Sequence, residues 1–183
     1  TREIAPNASE IKTLLPATAV HFGGLQQEWL EQSDVIVLSP GLSPQEPAIA
    51  EAVAKGVTLI GDIELFAQVC TKPYIAITGS NGKSTVTTLV TELLRSQGIK
   101  AYMGGNIGTP ALDLLQQKDA ELYVLELSSF QLETCPSLAP VAATVLNISD
   151  DHMDRHSSLA RYSEVKDRIY HKAAYGVYAE DYP

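Results

Sequence analysis

An apolar run, Tyr74-Ile75-Ala76-Ile77, passes directly into Thr78-Gly79-Ser80-Asn81-Gly82-Lys83-Ser84-Thr85 and then into a stretch reaching Gln97 with no glycine or proline. A buried strand that turns through glycines into a helix is the first half of a βαβ unit, and it needs a parallel neighbour to satisfy its backbone. Four further apolar runs supply candidates: Val35-Ile36-Val37-Leu38, Val57-Thr58-Leu59-Ile60, Tyr123-Val124-Leu125 and Ala142-Ala143-Thr144-Val145-Leu146. Their lack of alternation predicts strands buried on both faces, as in parallel sheets. Helices are expected from Glu46 to Lys55 before Gly56, from Ser84 to Gln97 before Gly98, and after the opening pair Thr109-Pro110.

Pro73 disfavours helix at Lys72 and a strand begins at once, so a break is expected near Thr71-Lys72-Pro73. The fold class read from this pattern is α/β, with two Rossmann-like/P-loop parallel-sheet regions, 1–72 and 73–183, each incomplete. The first opens at Thr1-Arg2-Glu3 with no strand ahead of it, and the second stops at one more apparent strand, Val177-Tyr178-Ala179. Both ends read as cuts.

With 183 residues and 45% hydrophobic content the chain has enough apolar material for one good core or two small ones. A net charge of -9 argues against a nucleic-acid partner, which requires a basic footprint. The absence of an apolar run near the roughly 20 residues of a membrane span, and of a signal-peptide pattern, points to no membrane partner and to the cytoplasm. Cys70 and Cys135 are too few for a disulfide framework or zinc site and read as buried thiols.

The segment from Gly79 to Thr85 has the context that phosphate binding requires. Glycines let backbone N–H groups close on phosphate oxygens, the helix start adds a positive field, Lys83 reaches the outer phosphates, and the Ser84 hydroxyl suits Mg²⁺. The general spacing needs glycine at position 77, where Ile77 stands, and a glycine-rich turn with an exposed lysine is the bland alternative. Glu126 ends an otherwise apolar strand, where a carboxylate suits Mg²⁺ and equally suits solvent. Asn106 in Gly104-Gly105-Asn106-Ile107-Gly108 could donate to a ligand or cap its own turn. The run Asp150-Asp151-His152-Met153-Asp154-Arg155-His156 is compatible with a divalent-metal site or a solvated charged turn. Lys166, four residues after Tyr162, has the spacing of an ordinary exposed helix lysine.

Taken in order, Gly-Ser-Asn-Gly-Lys-Ser-Thr, Gly-Gly-Asn-Ile-Gly, Glu-Leu-Ser-Ser-Phe-Gln-Leu-Glu, Asn-Ile-Ser-Asp-Asp-His-Met-Asp-Arg and Lys-Asp-Arg-Ile-Tyr resemble the Mur ligase family. Ser39-Pro40-Gly41 and Gly61-Asp62-Ile63-Glu64-Leu65-Phe66 extend the resemblance over essentially the whole chain. The branch it matches best is the one that joins D-glutamate to UDP-N-acetylmuramoyl-L-alanine with ATP, through an acyl phosphate, in peptidoglycan precursor synthesis.

The resemblance implies that Gly79, Ser80, Asn81, Gly82, Lys83, Ser84 and Thr85 hold the ATP phosphates, with Lys83 stabilising the transferred group. It implies two Mg²⁺ ions, served by Ser84 and Glu126 and by His152 and Lys166, the lysine as a carbamate. Asn106 and Ser128 would face the muramoyl substrate or the transferred phosphate. Ser39 and Gly41 would meet the uridine diphosphate portion, with Thr1 and Arg2 in the same pocket.

By the same resemblance, residues 1–72 are expected to be the later part of an N-terminal UDP-substrate-binding domain and 73–183 the earlier part of a central ATP-binding domain. The C-terminal amino-acid-binding domain is expected to be absent. The parent protein is expected to be a monomeric enzyme. The fragment is expected to be inactive alone and prone to self-association at an uncovered sheet edge. The rivals are a sister Mur ligase or folylpolyglutamate synthetase, and a nucleotide-binding module without turnover.

Overall fold

The computed structural model describes residues 10, 11, 13 and 17–179. The chain forms two compact units, one of residues 1–36 and 42–59, the other of 37–41 and 60–183. In the smaller unit α1 is Gln27–Glu31 and α2 is Pro47–Ala54, the latter opened by proline at a position where the missing N–H costs nothing. Its core is small: Ile36, Ala52 and Val57, with Leu30 and Leu59 packed against them. Lys55 closes the α2 end with ion pairs to Glu31 at 2.7 Å and Glu51 at 3.0 Å.

Strands β1 (Val35–Leu38) and β2 (Thr58–Gly61) make a two-stranded sheet. Burial on both faces was expected of β1, but Val35 and Val37 are exposed while Ile36 and Leu38 are buried. An apolar run of β-branched residues does not encode whether its second face finds a cover.

The larger unit is built on a five-stranded sheet in the order β4-β5-β3-β6-β7, every adjacent pair parallel. The strands are β3 (Tyr74–Thr78), β4 (Ala101–Gly105), β5 (Leu122–Glu126), β6 (Ala142–Val145) and β7 (Tyr175–Val177). Among the elements that went unassigned in the sequence are β4, whose glycine-rich end reads as a strand-to-helix turn, and α3 (Asp62–Val69). The third expected helix is short, α5 (Ala111–Leu114), and the last strand lies two residues earlier than expected.

The units divide between Leu59 and Ile60, not at the expected break near Thr71 to Pro73. The reason is α3. Its Ile63 and Phe66 are fully buried in the larger unit's core, where the Phe66 ring meets Tyr74 and Tyr123 edge-on at 5.5 and 5.8 Å. Burying two such side chains contributes on the order of 3–6 kcal/mol, far more than a local proline signal.

Helix α4 (Lys83–Ser96) follows β3; α6 (Ser129–Glu133) follows β5; α7 (Met153–His156) and α8 (Leu159–Asp167) follow β6. In an open parallel sheet the strands' carboxyl ends form the ligand-binding edge. Thr78, Gly105 and Glu126 are the last residues of β3, β4 and β5, so the sheet gathers the motif residues there.

Candidate active site

The loop leaves β3 at Thr78, whose hydroxyl donates to Leu127 O at 2.7 Å. Gly82, with φ +79°, occupies the left-handed region and starts α4 without a side-chain cap. The uncapped N–H groups of a 14-residue helix thus face the loop's concavity, as anion binding requires. Lys83 Nζ folds over the loop, donating to Gly79 O at 2.9 Å and Ser80 O at 3.1 Å. Asn81, Ser84 and Thr85 are exposed, whereas Ser80 is buried.

Two residues beyond β6 brace this loop. Asn147 Oδ1 accepts from Asn81 N–H at 2.9 Å, and its Nδ2 donates to Asn81 O at 3.0 Å. Ser149 N–H donates to Ser80 Oγ at 3.0 Å, and Ser80 Oγ lies 3.3 Å from the buried Tyr162 hydroxyl. Neither Asn147 nor Ser149 has an expected role from its residue type alone. The signal available was their position just after the strand that neighbours β3.

Glu126 is buried, and its Oε1 accepts from Asn106 Nδ2 at 2.8 Å, while Asn106 N–H donates to Glu126 O at 2.8 Å. The chain turns there through Gly105 at φ +104°, where a Cβ would collide with Glu126 O. Glu126 Oε2 is buried without a hydrogen-bond partner among the described residues. Ser128 begins α6 in a capping box with Gln131.

Lys166 is almost wholly buried, at 1% exposure, and its Nζ reaches Thr78 Oγ1 at 3.2 Å and Gly79 O at 3.1 Å. Burial, followed by the charge of Lys83, lowers its pKa to about 7. The surface-lysine alternative therefore fails for this residue.

His152 starts α7 with a left-handed backbone, φ 54°, a conformation uncommon outside glycine that histidine adopts more readily than most side chains. Its ring packs on Phe130 at 4.8 Å and lies 3.6 Å from Asp151. Arg155 and His156 contact the same Phe130 ring at 4.9 and 5.6 Å. Ser39 and Gly41 lie in an exposed turn after β1, and no hydrogen bond described here joins them to the phosphate loop. Thr1 and Arg2 lie outside the described residues.

Among the described residues no group of three or more His, Cys, Asp or Glu side chains is arranged to hold a metal. Mg²⁺ does not need one, because it usually keeps waters and takes phosphate oxygens beside one or two protein donors. The unpartnered Glu126 oxygen and the exposed Ser84 at the start of α4 fit that sparse donor set.

Two family models match the chain. The Mur ligase middle domain matches residues 77–183, and the Mur ligase MurD-like N-terminal domain matches residues 1–61. The UDP-N-acetylmuramoylalanine--D-glutamate ligase of Haemophilus influenzae strain Rd is 58% identical over 93% of this chain and 39% of its own length. The Haemophilus ducreyi protein of the same name is 56% identical over 94% of the chain and 40% of its own length. The chain thus spans about two fifths of the length of these relatives.

Among solved structures, the UDP-N-acetylmuramate:L-alanyl-gamma-D-glutamyl-meso-diaminopimelate ligase from Neisseria meningitides superposes with a TM-score of 0.58 at 15% identity. That match covers 99% of this chain and 62% of the other, and it supports the fold. The strand–loop–helix at Gly79 to Thr85, the Asn106–Glu126 pair and matches spanning both regions lead to one assignment: this chain belongs to the Mur ligase family.

Proposed function

We propose that this chain is the substrate- and ATP-binding portion of a ligase that joins D-glutamate to UDP-N-acetylmuramoyl-L-alanine. The observation that carries the reading is the meeting of loop, buried carboxylate and buried amine at one sheet edge in a chain 58% identical to a ligase of that name. In this reading the smaller unit would contribute to the UDP-substrate domain and the larger unit to the ATP-binding domain. The reading includes a cytoplasmic place of work; among the described residues no helix is long and apolar enough to cross a membrane.

In this reading the loop N–H groups and the α4 start hold the ATP phosphates. Lys83 exchanges its two loop carbonyls for the phosphoryl oxygens and offsets their charge as the group transfers to the substrate carboxylate. The amine of D-glutamate then displaces phosphate to form the amide. Two Mg²⁺ ions, held by Ser84 and Glu126 and by His152 and modified Lys166, would supply charge neutralisation. Asn106 fixes the Glu126 rotamer, leaving Oε2 as the free donor.

Carbamylation of Lys166 needs the neutral amine, which burial favours. The amine nitrogen bonds CO₂, one proton leaves, and the side chain becomes an anion with two oxygens suited to Mg²⁺.

The test uses the full-length parent with ATP, Mg²⁺, UDP-N-acetylmuramoyl-L-alanine and labelled D-glutamate. Product is expected, and Lys166→Ala should abolish it, with partial rescue by a short carboxylic acid. No amide product from the wild-type parent would overturn the reading, and full activity in Lys166→Ala would overturn the carbamate. The 183 residues by themselves are expected to give no product above a Lys83→Ala control, because positioned catalysis needs both reactants held.

A further inference from the structure

Gln131, the third residue of α6, is buried and hydrogen-bonded at both ends of its side chain. Its Oε1 lies 3.1 Å from Ser128 N and 3.3 Å from Ser128 Oγ, and its own N–H donates to Ser128 Oγ at 3.2 Å. Its Nε2 donates to Asp62 Oδ2 at 3.1 Å. Asp62 is the first residue of α3, and its other oxygen, Oδ1, is buried with no hydrogen-bond partner among the described residues.

We propose that Asp62 and Gln131 are positioning residues that fix how Ser128 meets the muramoyl substrate, Asp62 acting by setting the direction of the Gln131 carboxamide. This inference rests on the functional reading above. The two ends of a carboxamide are nearly the same shape but opposite in hydrogen-bonding sense. The Ser128 N–H demands the oxygen end. A carboxylate, which only accepts, demands the nitrogen end, so Asp62 and Ser128 N–H select one orientation from opposite sides. The reversed amide would set donor against donor at Ser128 and oxygen against oxygen at Asp62.

The consequence reaches the part-exposed Ser128 hydroxyl. Its proton is directed at Gln131 Oε1 and one lone pair receives the Gln131 N–H, which leaves a lone pair facing outward. Ser128 therefore meets its ligand as an acceptor. An amide N–H or hydroxyl of the UDP-linked substrate satisfies it, whereas a phosphate oxygen would not.

In the full-length parent, Gln131→Glu keeps the acceptor for Ser128 but faces Asp62 with nothing to donate. The KM for UDP-N-acetylmuramoyl-L-alanine should rise by about 10-fold, the scale of one lost hydrogen bond, with the KM for ATP within about twofold. Adding Asp62→Asn should restore most of the loss, because the introduced amide donates to the introduced carboxylate. Asp62→Ala alone, free of charge repulsion, should raise the same KM and so covers the case in which Gln131→Glu does not fold.

Wild-type KM in Gln131→Glu or Asp62→Ala, or no recovery in the double variant, would overturn the proposal. Equal changes in both KM values would reduce the pair to a structural role and overturn it as well. An inactive wild type would instead overturn the functional reading and this inference with it.

Discussion

Lys166 Nζ lies 3.1 Å from the carbonyl oxygen of Gly79, so a buried amine is tied to the first glycine of the phosphate loop. Burial and then Lys83 bring its pKa to about 7, while the unfolded chain keeps the ordinary lysine value of about 10.4. Between these values the unfolded state binds one more proton, so stability rises with pH across that window. Below about pH 7 the cost of the buried charge remains in full. In CO₂-free buffer, Lys166→Met should therefore melt higher than wild type near pH 6, with the gap shrinking toward about pH 9. A gap independent of pH in thermal denaturation would contradict the assigned shift.

His156 should govern the acid limb. It is buried, with Nε2 2.9 Å from Ser129 Oγ, and burial lowers its pKa against the opposing pull of Glu133. A lowered folded value means that the unfolded state gains protons first as pH falls through about 6.5, and stability is lost there. His156→Phe, which retains an aromatic ring against Phe130, should flatten the stability profile below that pH. Urea unfolding across the acid range checks it, and an unaltered slope would exclude His156 as the cause.

Gly105→Ala should destabilise the larger unit by about 2 kcal/mol or more, because the site combines a left-handed backbone with a Cβ placed against Glu126 O. Denaturant midpoints of the variant and wild type measure this directly. A loss under about 0.5 kcal/mol would mean that the turn relaxes at little cost.

Lys83→Ala in the full-length parent should lower kcat by roughly 10²-fold or more while the melting temperature changes little. The side chain's hydrogen bonds reach only loop carbonyls, so its removal leaves the sheet and core untouched. Steady-state kinetics at saturating ATP with a parallel melting curve separate the two effects. Near-normal turnover would count against the loop's assignment.

Local features were legible in the sequence and long-range ones only partly. The strand, glycines and helix from Tyr74 to Gln97 are encoded within one short segment, and they fold as read. Asn106 and Glu126 were both singled out, yet their contact depends on β4 lying beside β5, which no local pattern states. Lys166 illustrates the limit: its spacing is that of a solvated lysine, and only the packed structure shows it buried under the loop. Asn147 and Ser149 escaped notice because polar residues after a strand read as an ordinary turn. The division near Leu59 was missed for a related reason, since Pro73 is a strong local mark whereas the burial of Ile63 and Phe66 is a property of the assembled core.

Strand β3 pairs with β5 at Tyr74↔Tyr123 and with β6 at Ile75↔Ala142, so both of its neighbours are encoded after it. During synthesis from the N-terminus, the strand that launches the phosphate loop emerges long before either partner exists. Residues 74–78 stay unpaired until β5, ending at Glu126, has left the ribosome, and keep one open edge until β6, ending at Val145, follows; at about 5–20 residues per second that is an interval of seconds. The nascent chain is most exposed to misassociation in that interval, and a translational pause between α4 and β6 would lengthen it.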